Sequence, residues 1–185
     1  MAIYTFGLVR RRNKGQVLLA KAGGRVYIAI FGKMWPYTVV FFALGFLMNA
    51  ILYYKIGTPL QGSFLGVNLI FFAFVIVLQS VGLFIAAITT SFRTALTIGG
   101  DYTALAFSFA GYTFPAIGMS KFIQVLCFIF PFTSYMRFVV DYGIRGIAFN
   151  DTQKGYIIAL GVFALFGIIG VPLYHKKLKK GHYNA

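Results

Sequence analysis

The sequence predicts an all-α, polytopic membrane protein, with four transmembrane helices, an amphipathic segment on the cytoplasmic side and a re-entrant hairpin on the outer side. Three observations lead to that class. The 185 residues are 59% hydrophobic and only 11% charged, where an average soluble domain is roughly 25% charged. The uncharged runs have the length of a bilayer. The 17 Lys and Arg residues, which leave a formal net charge of +14, fall between those runs, as they do where basic loops stay in the cytoplasm. A multi-pass protein of the cell (inner or plasma) membrane follows. Its first partner is the lipid bilayer, and the basic residues, scattered between apolar runs, do not make a nucleic-acid surface.

The chain opens on an uncharged, apolar stretch, Met1 to Val9, followed by Arg10-Arg11-Arg12. A secretory signal has the opposite order, with positive charge first. Nine residues cover about half a bilayer as helix, so this stretch reads as the inner end of a span whose remainder precedes it. Lys14 to Lys33 mixes Lys14, Lys21, Arg25 and Lys33 with Val17, Leu18, Leu19, Val26, Ile28 and Ile30 around Gly23-Gly24. That amphipathic segment is too polar for hydrocarbon. It suits an interfacial helix held by anionic lipid or a docking element for a cytoplasmic partner.

Residues 34–174 form the expected transmembrane domain. The 21 uncharged residues Met34 to Tyr54 reach about 31 Å as helix, against a hydrocarbon core of about 30 Å. Trp35 and Tyr37 at one end, and Tyr53 and Tyr54 at the other, suit the two headgroup zones. Gly57-Thr58-Pro59 then breaks the helix, and a second span covers about 63–90. The third, about 95–114, contains Asp101. Its apolar members Leu96, Ile98, Leu105, Phe107, Phe109 and Phe114 contribute about 2 to 3.5 kcal/mol of insertion energy, and a mid-span Asp costs about 2.5 to 3.5. This helix should therefore lie among other helices, with Asp101 turned from lipid. The last span, about 155–174, is expected to end at Pro172 and the cluster Lys176, Lys177, Lys179, Lys180, leaving 175–185 as a basic cytoplasmic tail.

Phe122 to Met136 provides only 15 uncharged residues, interrupted by Pro131, and reaches about 22 Å. If it does not cross, both termini are cytoplasmic, with twelve Lys and Arg inside and five outside. Crossing would make the split eleven and six. Length, Pro131 and the lysine tail favour a re-entrant outer hairpin over 118–147.

Catalytic chemistry finds little support. Asp101, Asp141 and Asp151 are the only acidic residues, too few for a calcium or magnesium cage or for paired-carboxylate hydrolysis. Cys127 is single, and His175 and His182 sit in the lysine-rich tail without a third ligand type. No G-x-x-x-x-G-K-[ST] is present, so ATP is not bound here by a P-loop. Asp101 is a candidate for a cation path or for structural pairing. Asn49, Asn68 and Gln79 are intramembrane polar residues that could line a path or hydrogen-bond between helices. Gly62 and Gly66 have the spacing that lets helices approach closely, and Gly161, Gly167 and Gly170 lighten the last span. Asn150-Asp151-Thr152 reads as a helix cap in preference to a glycosylation acceptor.

Two stretches carry a family resemblance. Ala110-Gly-Tyr-Thr-Phe-Pro115, with Met119-Ser-Lys-Phe-Ile-Gln124 and Phe130-Pro-Phe-Thr-Ser-Tyr135 behind it, resembles the pattern of type-2 ATP-binding-cassette export permeases, where a span ends in GFTFP and an outer hairpin carries NPLTY. Tyr112 replaces the usual Phe, and Phe130 and Phe132 replace Asn and Leu. Upstream, Lys21-Ala-Gly-Gly-Arg25 through Gly32-Lys33-Met-Trp-Pro36 is similar to that family's cytoplasmic segment between its second and third spans, including the GK-x-x-P at the start of the third. The resemblance covers about residues 10–174 and implies that the four spans are the family's third to sixth, with two further spans and an outer domain preceding them.

The resemblance implies an exporter permease that works with a separate cytoplasmic ATPase subunit. It holds no cofactor of its own, ATP and magnesium belonging to that partner, and it pairs with a second permease copy or with its missing N-terminal half. Residues 1–33 would hold the end of a preceding span and the coupling helix that rests on the ATPase, with Lys14, Lys21, Gly23, Gly24 and Arg25 as coupling residues. The hairpin, with Pro115, Phe130, Pro131, Phe132 and Tyr135, would cap the exit, its aromatic residues sealing a gate or sitting at headgroup level. A truncated membrane scaffold that does not transport, or a small cation channel built on Asp101, are the competing expectations. No residue selects the substrate.

Overall fold

The computed structural model describes residues 2–3, 22–109, 120 and 127–180. Among these there are five α-helices and no strand: α1 Val26–Ala50, α2 Phe64–Ile88, α3 Phe92–Phe109, α4 Pro131–Phe138 and α5 Asp151–Lys180. Two of them continue as π-helix, α1 through Ile51–Lys55 and α4 through Val139–Ile144. Among the described residues three helical stretches are long and apolar enough to cross a membrane: Val26–Lys55, Phe64–Ile88 and Thr152–Lys176. The four expected spans are thus matched by three. Over its 18 described residues α3 carries both Arg93 and Asp101, which dilute its apolar character.

The helix boundaries follow local chemistry. Gly57, at φ +80°, takes a left-handed conformation open to few residues other than glycine, and with Pro59 it separates α1 from α2 where the sequence places a break. Ser91 starts α3: its Oγ accepts from the Thr94 amide at 3.1 Å, as an N-cap should. Asn150 likewise caps α5, its Oδ1 accepting from the Gln153 amide at 3.2 Å.

Packing sets three boundaries, and the expected helix end at Pro172 needs correction. α1 begins at Val26, eight residues before Met34, because nothing between them prevents the helix from extending and Val26, Ala29 and Ile30 are buried. Pro172 does not end the last helix, which runs on to Lys180 with the proline inside it; a single missing amide is tolerated in a membrane helix when adjacent turns are held, and Val171 and Tyr174 on either side are buried. Pro131 opens a helix, standing in the first turn of α4 after the extended Phe130, where a proline's missing N–H costs nothing.

The chain forms two compact units, Met1–Val39 with Leu78–Tyr102 and Phe163–Ala185, and Val40–Val77 with Thr103–Val162. In the first, Val26 and Ile30 of α1, Leu83, Ala86 and Ala87 of α2, and Val171 and Tyr174 of α5 make one buried cluster with Ala2. Glycines let its helices come close. Gly170 lies 3.1 Å, measured from an ideal Cβ, from the Phe84 backbone, and Gly167 lies 2.7 Å from Ser80 Oγ. Gly161 meets nothing.

The second unit is joined by rings. Phe42 meets Phe72 edge-on at 5.2 Å, and Phe64 meets Phe46 and Tyr54, each at 5.3 Å. The Gly143 carbonyl accepts from the Gln61 and Gly62 amides at 2.9 and 3.3 Å. Tyr142 fills the space beside both Gly62 and Gly66, so the GxxxG pair admits a tyrosine.

Candidate functional site

Three sets of residues have candidate functional roles. The first lies at the start of α1. Gly23 and Gly24 adopt φ +61° and +77°, two successive left-handed residues that make a turn costly for any side chain. Arg25 follows, its amide donating to the Ala22 carbonyl at 3.1 Å and its carbonyl accepting from the Ala29 amide at 3.2 Å. All three are exposed, and the turn leads straight into the first helical turn. Lys14 and Lys21 lie outside the described residues.

The second set comprises polar groups within the long helices. Asn49 Nδ2 donates to Asn68 Oδ1 at 3.1 Å, joining α1 to α2 in the second unit, and Asn68 Nδ2 donates to the Phe64 carbonyl at 2.8 Å. In the first unit Thr38 Oγ1 lies 2.9 Å from Gln79 Oε1 and 3.1 Å from the Met34 carbonyl. Thr38, buried at 4% exposure, is the partner that sequence reasoning missed; a hydroxyl inside the apolar run Pro36 to Gly45 was its one signal. These groups satisfy one another across helices, as polar residues in hydrocarbon do.

α3 buries a narrow stripe of Ala95, Gly99 and Ala106, with Tyr102 beside it. At 3.6 residues per turn Asp101 stands roughly 140° from that stripe, and its side chain is exposed on this chain. Among the described residues it has no ion pair.

The third set is the segment expected to form the outer hairpin. α4 buries Pro131, Thr133, Ser134, Tyr135 and Phe138. Tyr135 stacks on Phe74 at 4.4 Å with an 11° interplanar angle. Phe132 touches Phe74 at 5.8 Å and Phe107 at 4.6 Å, and Phe130 stacks on Phe109 at 6.1 Å. Phe130 and Tyr135 are therefore buried in the chain, and Phe128, 46% exposed, is the more exposed ring. Sequence reasoning missed Phe71, Phe74 and Phe107, whose spacing is legible only once α2, α3 and α4 are brought together. Pro115, like most of 110–126, lies outside the described residues.

Among the described residues no three of His, Cys, Asp and Glu come together. Compared with known proteins, residues 1–174 match the family model described as ABC-2 family transporter protein. No curated protein and no solved structure matches the chain.

Proposed function

Because this chain belongs to the ABC-2 transporter family, a family of membrane-spanning transporter permeases, we propose that it acts in export, driven by ATP hydrolysed on a separate cytoplasmic ATPase subunit. The family match across residues 1–174 carries this reading, and the apolar helices provide the membrane part it requires. ATP and magnesium are then the partner's, and this chain contributes the path and the moving parts.

In this reading the turn Gly23–Arg25 transmits the partner's movement. It is exposed, and no loop separates it from α1, so a push on Arg25 acts on the first turn of a span; closure of one body on another through such a rigid element is a common means of switching. The aromatic cluster of Phe74, Phe107, Phe132 and Tyr135 closes the path, keeping water out until the cargo passes. Both termini lie in the cytoplasm of the inner membrane, and the permease works as a pair.

Mild-detergent purification from native membranes, followed by mass spectrometry, should recover an ATPase subunit bearing a P-loop. Reversing the charges at Lys14, Lys21 and Arg25 should release it and abolish stimulated ATP hydrolysis in proteoliposomes. Retained binding and hydrolysis in that triple variant would exclude this segment as the docking element.

A further inference from the structure

One charged cluster has no role in the preceding account. Arg137, Asp141 and Arg145 follow at four-residue spacing along α4 and its π-helical continuation. Arg145 Nη1 lies 3.1 Å from Asp141 Oδ1, with the arginine side chain 65% exposed. The Tyr156 hydroxyl donates to Asp141 Oδ2 at 3.4 Å. The guanidinium carbon of Arg137 lies 4.7 Å from the centre of the Phe128 ring. Two guanidinium groups against one carboxylate leave a surplus of one positive charge. The Tyr156 hydroxyl also hydrogen-bonds Arg137, and a guanidinium, with five N–H donors, keeps others for a further acceptor.

The rim of this cluster is bare and apolar. Phe128 is 46% exposed and Ile147 is 39% exposed, and the Ile147 amide donates to the Asp141 carbonyl at 2.9 Å, holding Ile147 beside the charges. Tyr156 is only one turn inside the apolar stretch Thr152–Lys176. The cluster thus sits where hydrocarbon gives way to headgroups, the depth at which lipid phosphates lie and where long cationic side chains reach for them.

We propose that Arg137 and Arg145 bind the phosphate of an anionic phospholipid, with Phe128 and Ile147 against the upper part of its acyl chains. Asp141 orients Arg145, and Tyr156 ties Asp141 to Arg137, so the two guanidinium groups flank one carboxylate beside an apolar floor. A surplus cation beside exposed apolar side chains complements a molecule that is anionic at one end and apolar at the other. The inference requires only that the helices lie in a bilayer, and it is independent of the direction of transport.

The test is thermal unfolding of the full chain in a neutral detergent, read by circular dichroism, with phosphatidylglycerol, phosphatidylcholine or glycerol phosphate added. Phosphatidylglycerol should raise the midpoint by several degrees in a salt-sensitive way, and the other two should do little. Arg137→Gln and Arg145→Gln should each weaken the apparent phosphatidylglycerol affinity by about fivefold. The double Lys variant, which keeps the charge but not the planar fork, should lose less affinity than the double Gln variant, and its unfolding midpoint without lipid shows that the fold survives exchange at both positions. Equal stabilisation by phosphatidylcholine or by glycerol phosphate would overturn the proposal, as would full affinity in the double Gln variant. A change of oligomeric mass on losing Arg145, without any lipid dependence, would make the patch an interface between copies and overturn it too.

Discussion

The contact of Gly62 and Gly66 with Tyr142 supports a graded prediction. A Cβ at Gly62 would run into the Tyr142 carbonyl oxygen and come 3.1 Å from its carbonyl carbon, both backbone atoms that cannot turn aside. At Gly66 the same atom would lie 2.8 Å from Tyr142 Cε1 and 2.9 Å from its hydroxyl, both on a side chain that can. Overpacking a filled site costs about 1 to 3 kcal/mol, so Gly62→Ala should cost about 3 kcal/mol and Gly66→Ala about 1. Gly161, which meets nothing within 4 Å, is the control, and alanine there should be neutral or stabilising by up to about 1 kcal/mol. Unfolding of the full chain by sodium dodecyl sulfate in mixed micelles, followed by helical circular dichroism, measures each value. Adding Tyr142→Ala refines the test: removing the ring should couple to Gly66→Ala by about 1 kcal/mol and less to Gly62→Ala, where the ring lies 3.0 Å away but the nearest obstacle is the backbone. A Gly62 variant as stable as the Gly161 control, or equal coupling for both glycines, would refute the reasoning.

The same unfolding assay checks three other expectations. Asn49→Ala should cost about 0.6 to 1.5 kcal/mol, and its double-mutant cycle with Asn68→Ala should return about 0.6 for the shared hydrogen bond. Asn150→Ala, which removes the cap on the Gln153 amide, should lose about 1 kcal/mol. Phe132→Ala should cost about 3 kcal/mol because it empties the space between Phe74 and Phe107, whereas Phe128→Ala, at an exposed ring, should stay below about 1 kcal/mol.

What could be read from the sequence was local. The break at Gly57-Thr58-Pro59, the cap at Asn150 and the extent of α2 depend on residues within a turn of one another, and each stands where expected. Asn49, Asn68 and Gln79 were recognisable as intramembrane polar groups, but not their pairing, since Thr38 and Gln79 are joined only when α1 and α2 lie side by side. Pro172 was misleading because a proline's effect on a helix depends on whether the flanking turns are held, and the burial of Val171 and Tyr174 is a tertiary fact. Asp101 was legible as a carboxylate that should avoid lipid, but insertion cost does not say which face of α3 meets its neighbours in the chain, and the small residues Ala95, Gly99 and Ala106 occupy that face. The Tyr142 wedge had no local trace at all.

The early start of α1 has a consequence for reach. The apolar run Met34 to Tyr54 fills a hydrocarbon core of about 30 Å by itself, so the eight residues Val26–Lys33 extend the rod by about 12 Å beyond it. A headgroup layer is only about 5 to 8 Å deep on each side. The paired left-handed glycines therefore open a helix about two turns longer than the hydrocarbon alone requires.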